Sequence, residues 1–349
     1  MRVADFDFDL PADLIAQTPR PRGASRLLVV DRALHSWREV PFAELPALLA
    51  PGDLLVANDT RVFPARLMGR RDPSGGAAEC LLLESDDGRH WQALVHPGQK
   101  LKPGARLLFE DPARAPGVRI RAEILDRHFF GRRLVQLDVE GAPSIEAAID
   151  ALGHIPLPPY IRRPDTDDDR DRYQTIYARA RGSVAAPTAG LHFDAPTVAA
   201  VRAAGIGWTT ITLHVGYGTF KPIRVEDVSE HRVDSERYSV SAESAALIAA
   251  TRASGHRVVG VGTTTARALE SAGLSGAVQP GAGSTDLFIH PGHEFRAIDA
   301  LITNFHLPKS SLLLLVSAFA GRELLLDAYR YAVAEKFHFY SYGDAMLVL

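Results

Sequence analysis

The chain has 349 residues, with 39 Lys and Arg against 42 Asp and Glu, which gives a formal net charge of −3 at pH 7. Hydrophobic residues make up 46% and charged residues 23%, a balance typical of a folded globular protein, so intrinsic disorder is excluded. The single cysteine excludes a disulfide scaffold and a cysteine-based zinc site, and the near-neutral charge shows no basic footprint for nucleic acid.

The N-terminal segment and the longest apolar run bear on where the protein resides. The N-terminal residues lack an apolar segment after their first charges, so no signal peptide is predicted. The apolar run 312–320 is shorter than the roughly 20 residues that span a membrane, so a buried helix is predicted there. We therefore expect a cytoplasmic protein with no membrane partner.

The predicted type of secondary structure changes twice in the first half of the chain. Residues 25–31 and 53–57 are apolar runs typical of buried strands, and a short helix is predicted between them. From about Arg66 to Val139 short strands alternate with turns that contain Gly and Pro, which indicates a small barrel or sandwich. A helical pattern then returns and is predicted to end at Gly153, acting as a C-terminal capping glycine.

The second half is predicted to alternate strands and helices after a proline-rich, highly charged stretch at 154–174, which is predicted to be a long exposed loop. The simplest architecture is a mixed-sheet α/β domain of residues 1–65 and 145–349, interrupted by an inserted small all-β barrel at 66–144. The later predicted strands are WTTITLHV, RVVGVGT, TDLFIH and DALITNF, and the helices are APTVAAVRAAG, SAESAALIAATRASG, TARALESAG and GRELLLDAYRYAVAEK.

Charge is distributed unevenly along the chain. Residues 61–133 contain 14 Lys and Arg and 9 Asp and Glu, a net charge of +5, so the rest of the chain carries −8. The insert is therefore basic and the rest of the chain acidic, an asymmetry that the whole-chain net charge conceals. The alternative is an arginine-rich β surface that only faces solvent.

Four stretches place polar or small residues where a predicted strand ends or a predicted helix begins, the edge at which open α/β sheets bind ligands. The alternative in each is structural, namely a turn, a helix cap or a satisfied core histidine. The Gly-x-Gly of the second stretch lacks the third glycine of a dinucleotide fingerprint, and no P-loop, nucleophile elbow or metal-ligand spacing stands out. The stretches are residues 183–197, 212–222, 258–270 and 301–323.

Eight long motifs occur in a fixed order along the chain. They are GDLLVANDTRVFPARLMGR, LPPYIRR, DRYQTIYA, SVAAPTAGLHF, ITLHVGYGTFKP, VGTTTARALE, ALITNFHLPKSSLLLLVSAFAG and FYSYGDAML. Together they closely resemble the S-adenosylmethionine:tRNA ribosyltransferase-isomerase family of queuosine biosynthesis. The resemblance runs from LIAQTP near the N-terminus to the last residues and thins only in the β insert and around 271–283.

The resemblance implies a substrate pair that composition does not. The family transfers and isomerises the ribosyl part of S-adenosylmethionine onto 7-aminomethyl-7-deazaguanine at the wobble position of a tRNA with a GUN anticodon. The products are epoxyqueuosine-tRNA, adenine and methionine. The family fold is an α/β domain with an inserted β-barrel, and the resemblance implies a monomer that consumes S-adenosylmethionine and needs no metal or redox cofactor.

This chemistry requires a base, an acid for the departing adenine, hydrogen-bond donors for a developing alkoxide, and exclusion of water. The candidate acid and base groups are His192, His214 and His306, followed by Asp194 and Asp344. The candidate substrate-binding residues are Thr188, Gly190, Gly216, Gly218, Thr263, Thr264, Asn304 and Lys309, with Lys309 for the methionine carboxylate. The candidates for tRNA phosphates are Arg61, Arg66, Arg162 and Arg163.

Three positions depart from the family pattern. Val233 and Asp234 stand where Met and His are usual, and His338 stands where Arg is typical. These departures leave open a relative with shifted acceptor specificity. The other interpretations are a paralogue that uses S-adenosylmethionine on a small molecule, which the basic insert disfavours, and a tRNA-binding protein without catalysis, which the intact histidine motifs disfavour.

Overall fold

The computed structural model describes residues 1–128, 131–220 and 222–349. Its strands fall into a large mixed sheet, a separate six-stranded antiparallel sheet and a two-stranded sheet. The large sheet contains β1 (Arg26–Asp31), β2 (Ser36–Pro41), β3 (Leu54–Asn58), β12 (Gly207–Leu213), β13 (Glu236–Val240), β14 (Val258–Val261), β15 (Gly281–Thr285), β16 (Ala300–Asn304) and β17 (Ala345–Val348), and the two-stranded sheet contains β4 (Thr60–Val62) and β11 (Ala180–Ser183).

The central strands of the large sheet run parallel. The order is β15-β13-β12-β3-β14-β16-β17-β1-β2, and β12, β3, β14 and β16 are parallel neighbours. All residues of β3, β14 and β16 are buried, as expected for parallel strands covered on both faces. Because these strands are parallel, their carboxyl ends meet at one edge of the sheet.

Two layers of helices cover the sheet because successive side chains of a strand point to opposite faces. The helices are α1 (Leu45–Leu48), α2 (Ile145–Leu152), α3 (Asp169–Arg172), α4 (Ala195–Ala203), α5 (Ala242–Ala253), α6 (Thr263–Ala272), α7 (Ser311–Ala320) and α8 (Arg322–Ala334). Leu54 packs in the core under α5 to α8, whereas its neighbour Leu55 packs in the core under α1 and α4. No helix within the described residues is long and apolar enough to cross a membrane.

The inserted sheet is built from consecutive strands that pair only with one another. The strands are β5 (Arg66–Asp72), β6 (Ala77–Glu84), β7 (His90–His96), β8 (Arg106–Glu110), β9 (Arg119–Arg127) and β10 (Arg132–Glu140). Their order is β10-β7-β6-β5-β8-β9, and β9 also pairs with β10, so the hydrogen-bonded ladder closes on itself. Helix α2 follows directly and packs Ile149 and Leu152 into the same core.

Several local predictions were wrong for identifiable reasons. The predicted strand TDLFIH is irregular after Thr285, and the preceding Gly281–Thr285 forms β15 instead. The helix does end at Gly153 as predicted, with the Gly153 N–H bonded to the Ile149 carbonyl, but the Gly153 backbone is extended and not left-handed. A Cβ there would strike the Pro64 carbonyl, so close packing explains the glycine. The loop 154–174 is only partly exposed, because its apolar side chains form a core cluster with later segments.

Candidate active site

A cleft opens where the parallel strands end, at the edge predicted to bind ligands. It encloses about 530 Å³ up to its open mouth and is called the central cleft below. The turn that begins at Thr188, the first turn of α6 and the end of β16 form its walls. The predicted residues that line it are Thr188, Thr263, Thr264, Asn304 and His306.

The start of α6 brings two threonines to the floor of the central cleft. Gly262 caps the helix with φ of 93°, a left-handed conformation that glycine adopts without strain. Thr263 and Thr264 therefore occupy the first helical turn, where backbone N–H groups lack partners within the helix. Asn58 at the end of β3 donates from Nδ2 to the Thr264 hydroxyl at 3.3 Å and so fixes that side chain.

His192 is buried behind the cleft and uses both ring nitrogens for structural contacts. Its Nε2 lies 3.0 Å from Nδ2 of Asn304, and its Nδ1 lies 2.8 Å from Oγ of Ser25. The Asn304 amide nitrogen is a donor only, so Nε2 accepts and Nδ1 carries the proton that goes to Ser25. Burial also lowers the pKa of His192 to about 4, which keeps the ring neutral. Both ring nitrogens of His192 thus contact protein groups, and its role as an acid or base stays a prediction.

His306 lines the central cleft and is also buried. Its Nε2 lies 2.9 Å from the Thr303 hydroxyl, which can donate to the Asn304 carbonyl at 3.4 Å and accept the Nε2 proton. The hydroxyl of Tyr329 accepts the backbone N–H of His306 at 3.0 Å. Desolvation lowers the pKa of His306 to about 3, so at neutral pH it accepts protons and does not supply them.

His214 follows β12 and lines a neighbouring groove between the large sheet and the inserted sheet. This insert-side groove encloses about 620 Å³ and adjoins the central cleft at Val215. Nδ1 of His214 lies 2.9 Å from the Thr60 hydroxyl, which has the Ala180 carbonyl as its own acceptor at 3.3 Å. Desolvation and the positive charge of Arg237 lower the pKa of His214.

Acidification is expected to destabilise the fold through His192 and His306. Their native pKa values, about 4 and about 3, lie below the ordinary 6.5, so the unfolded chain binds more protons between pH 6.5 and 4. The free energy of unfolding then falls with falling pH, by up to about 1.4 kcal/mol per pH unit for each histidine. Urea titrations from pH 7 to pH 4.5 measure this slope. The variant His192→Gln should show a shallower slope, and an unchanged slope would contradict the assignment.

A buried ion pair that the sequence prediction missed lies next to both pockets. Arg267 of α6 pairs with Glu236 of β13, and the two side chains are 9% and 4% exposed. Oε1 of Glu236 accepts the Gly216 N–H at 2.8 Å and the Thr219 hydroxyl at 3.3 Å. Arg267, Glu236 and Thr219 line a third pocket, of about 400 Å³, called the Arg267 pocket. The sequence signal was an arginine two residues after the last threonine of TTTARALESA, the helix that starts at the cleft.

Known proteins match the chain over its whole length. A model described as queuosine biosynthesis protein matches residues 3–348. The chain belongs to the queuosine biosynthesis protein family. A protein of Anaeromyxobacter dehalogenans strain 2CP-C named S-adenosylmethionine:tRNA ribosyltransferase-isomerase is 54% identical over 100% of this chain and 99% of its own. A protein of the same name from Symbiobacterium thermophilum is 51% identical over the whole of both chains. The crystal structure of S-adenosylmethionine tRNA ribosyltransferase from Thermotoga maritima is 36% identical, with a TM-score of 0.55, over 99% of this chain and 100% of that one.

The family resemblance drawn from the motifs is thereby confirmed. Asp194, which directly follows one of the motifs, caps α4, with Oδ1 accepting the Thr197 N–H at 2.7 Å. Asp344, inside the last motif, is fully buried and pairs with Arg20 at 2.8 Å. Neither residue lines the central cleft, and their acid or base roles stay predictions.

Four predicted binding positions of the family motifs lie outside the lining of the central cleft. A Cβ at Gly190 would strike the Tyr177 hydroxyl, so this glycine makes room for a side chain of the protein. Nζ of Lys309 lies 2.8 Å from Asp7 at the surface, and Lys309 does not line the central cleft. Gly218 lines the Arg267 pocket, and Gly216, which donates to Glu236, lines the insert-side groove.

The departures from the family pattern lie beside these pockets or in the Asp344 network. Asp234 accepts from Arg132 of β10 at 3.0 Å, which joins the large sheet to the inserted sheet. A Cβ at Gly218 would lie 2.7 Å from this carboxylate, so that glycine makes room for Asp234. Nδ1 of His338 lies 3.1 Å from the Arg20 guanidinium that also holds Asp344. Val233 lines the Arg267 pocket.

The predicted arginines divide into paired and unpaired groups. Arg66 pairs with Glu79, and Arg163 makes a two-pronged ion pair with the buried Asp169. Arg61 and Arg162 are exposed and form no ion pair with any residue in the described ranges. Much of the positive charge of the insert is likewise paired, in Arg70–Glu110, Arg89–Asp138, Arg106–Glu123, Arg119–Glu110 and Arg121–Glu140. Pairs within residues 61–133 are already counted in the local net charge of +5. Arg89, Arg121 and Arg132 pair with acidic residues outside that range, so the free positive surface is smaller than this net charge indicates.

Proposed function

We propose that this protein is a tRNA-modifying S-adenosylmethionine:tRNA ribosyltransferase-isomerase. It transfers and isomerises the ribosyl moiety onto 7-aminomethyl-7-deazaguanine at the wobble position of tRNA with a GUN anticodon. Full-length identity of 54% to a protein of that name is the observation that carries the proposal. The convergence of Thr188, Thr263, Asn304 and His306 from three separate motifs on one cleft supports it.

The proposed chemistry begins with the protons next to the sulfonium, which acidifies them. A neutral histidine takes one C5′ proton, the ribose ring opens, and adenine departs and is protonated, leaving an aldehyde and a vinyl sulfonium. The tRNA amine adds to the vinyl carbon, the resulting ylide closes on the aldehyde, and the alkoxide displaces methionine to form the epoxide. His214 and His306 are the candidate bases, and the first turn of α6 offers donors to the alkoxide.

The experiment uses S-adenosylmethionine labelled in the ribosyl group together with tRNA that carries the aminomethyl-deazaguanine base. Label in tRNA with release of adenine supports the proposal. Adenine release without labelled tRNA supports the paralogue that acts on a small molecule, and binding of tRNA with neither supports a non-catalytic protein. Either of the last two outcomes overturns the proposal.

The wider organisation is proposed on the same basis. Residues 1–65 and 145–349 form the catalytic α/β domain, and 66–144 form an inserted β-barrel domain, which the closed pairing of β5 to β10 supports. The protein acts as a cytoplasmic monomer, and S-adenosylmethionine is a consumed substrate rather than a resident cofactor. Arg61 and Arg162 contact tRNA phosphates, with Arg66 and Arg163 at the same open groove as Arg162.

Binding of tRNA is expected to weaken with salt, because each phosphate contact releases counterions. The variant Arg61→Ser, which removes an exposed unpaired guanidinium, should reduce the slope of log affinity against log salt by about 1. Filter binding from 50 to 250 mM salt, roughly the range over which such slopes are measured, provides the test. Arg252→Ser is the control, because Arg252 pairs with Asp299 at the opposite edge of the sheet. A slope unchanged in Arg61→Ser would remove Arg61 from the interface.

A further inference from the structure

The side-chain amide of Asn304 holds one atom without a partner at the wall of the central cleft. Asn304 is only 2% exposed, and its Oδ1 accepts no hydrogen bond from any described residue. Its Nδ2 donates both of its protons, one to His192 Nε2 at 3.0 Å and one to the Tyr340 carbonyl at 3.0 Å. A buried acceptor without a donor is costly, so this oxygen is suited to receive one from a ligand.

The orientation of this amide is fixed by its neighbours. Turning it over would set Oδ1 against the Tyr340 carbonyl, and two acceptors repel. In the observed orientation Nδ2 also has His192 Nε2 as a second acceptor at 3.0 Å, so both amide protons are used. Oδ1 is therefore the Asn304 atom that is left to accept a hydrogen bond from a ligand, and that ligand must supply an N–H or O–H group.

Two aromatic rings next to this acceptor favour a flat ligand. Tyr160 and Tyr340 both line the cleft, with ring centroids 3.8 Å apart. Tyr340 holds a left-handed backbone with φ of 73°, a conformation that is strained for a side chain of this size. Its N–H donates to the Phe305 carbonyl at 3.0 Å, so the strained turn is tied to β16 on both sides. Aromatic faces beside a lone acceptor suit a nucleobase better than a ribose hydroxyl.

We propose that Oδ1 of Asn304 accepts a hydrogen bond from the exocyclic amino group of a purine-type base that lies against Tyr160 and Tyr340. His192 is a positioning residue that holds the amide in the accepting orientation. The inference rests on the proposed function, because both substrates named there carry such a base: the adenine of S-adenosylmethionine has a 6-amino group, and the deazaguanine of tRNA has a 2-amino group.

The test compares each substrate with its desamino analogue, in which hydrogen replaces the amino group. One arm titrates S-adenosylmethionine and its 6-desamino analogue, and the other titrates the tRNA and its 2-desamino counterpart. In the wild type, loss of the amino group should weaken binding about 3- to 10-fold in one arm, the size of one neutral hydrogen bond. In Asn304→Ala the same loss should have no effect, because the acceptor is gone.

Control variants separate this contact from general damage to the fold. Ser317→Ala removes another buried polar group without a described partner, on α7 and outside the cleft, and should keep the wild-type discrimination. His192→Leu should abolish the discrimination, whereas His192→Gln, which keeps an acceptor, should restore part of it. Asn304→Ser serves as the second variant if Asn304→Ala does not fold.

The arm in which discrimination vanishes identifies the base, and either arm supports the inference. Discrimination that persists unchanged in Asn304→Ala in both arms overturns it. Wild-type turnover, measured on the same preparation, keeps the two proposals apart. A wild type that labels tRNA but fails this comparison overturns only the Asn304 contact, whereas a wild type that releases no adenine overturns the proposed function.

Discussion

Single-turnover transfer of ribosyl to tRNA is expected to fall roughly 10²- to 10⁴-fold in His214→Ala, the range typical of a lost general base. A base works best when its pKa lies near the working pH, and the two candidates differ in this respect. His306 has a pKa of about 3, which makes it a weak base. His214 is only half buried, so its protonated form loses less hydration than that of the buried His306. His306→Ala should therefore reduce the rate less than His214→Ala.

Rapid mixing and quenching with excess enzyme measures this rate without contributions from product release. The control is His256→Ala, an exposed histidine at the opposite edge of the sheet, which should retain the wild-type rate. The wild-type rate should also fall on the acid side of neutrality, because protonation of His214 removes the base. Near-wild-type rates in both His214→Ala and His306→Ala would show that neither histidine takes the first proton.

The position of the site could be predicted because it follows from the direction of the strands. DALITNF and VVGVG read as buried strands from their unbroken apolar runs, and parallel strands end at one edge. The residues that follow them, Thr263, Thr264 and His306, therefore meet in one cleft whatever the details of the loops between. The basic insert could also be predicted from the sequence, because short strands separated by turns with Gly and Pro are local patterns.

The roles of individual residues could not be predicted, because they depend on partners far away in sequence. Asp344 and His192 have the residue types of a catalytic site, and the structure shows that Arg20 contacts the first and Asn304 the second. Arg267 went unnoticed for the same reason, since Glu236 lies more than thirty residues before it on another element. A sequence motif shows which side chains are present, whereas the fold shows which of their hydrogen-bonding groups and charges already have partners.

Removing one partner of the Arg267–Glu236 pair is expected to lower the free energy of unfolding by about 3–5 kcal/mol, the cost of a buried charge left without its partner. Both side chains are almost inaccessible, and desolvation already lowers the pKa of Arg267 to about 10. Arg267→Met is the more informative variant, because it keeps an unbranched apolar stem and leaves the Glu236 carboxylate without its partner. Chemical unfolding in urea, with mutant and wild type at the same pH, measures the loss.

The double variant Arg267→Met with Glu236→Gln shows whether the charge or the packing causes that loss. Glutamine keeps the oxygen that accepts from Gly216 and Thr219, so only the charge disappears. If electrostatics dominate, the double variant should be more stable than Arg267→Met alone, because no unpaired charge remains buried. A double variant no more stable than Arg267→Met would instead assign the loss to packing at the start of α6. Since Gly216 and Thr219 border the pockets, restored stability without restored activity would show that the pair also sets the shape of the site.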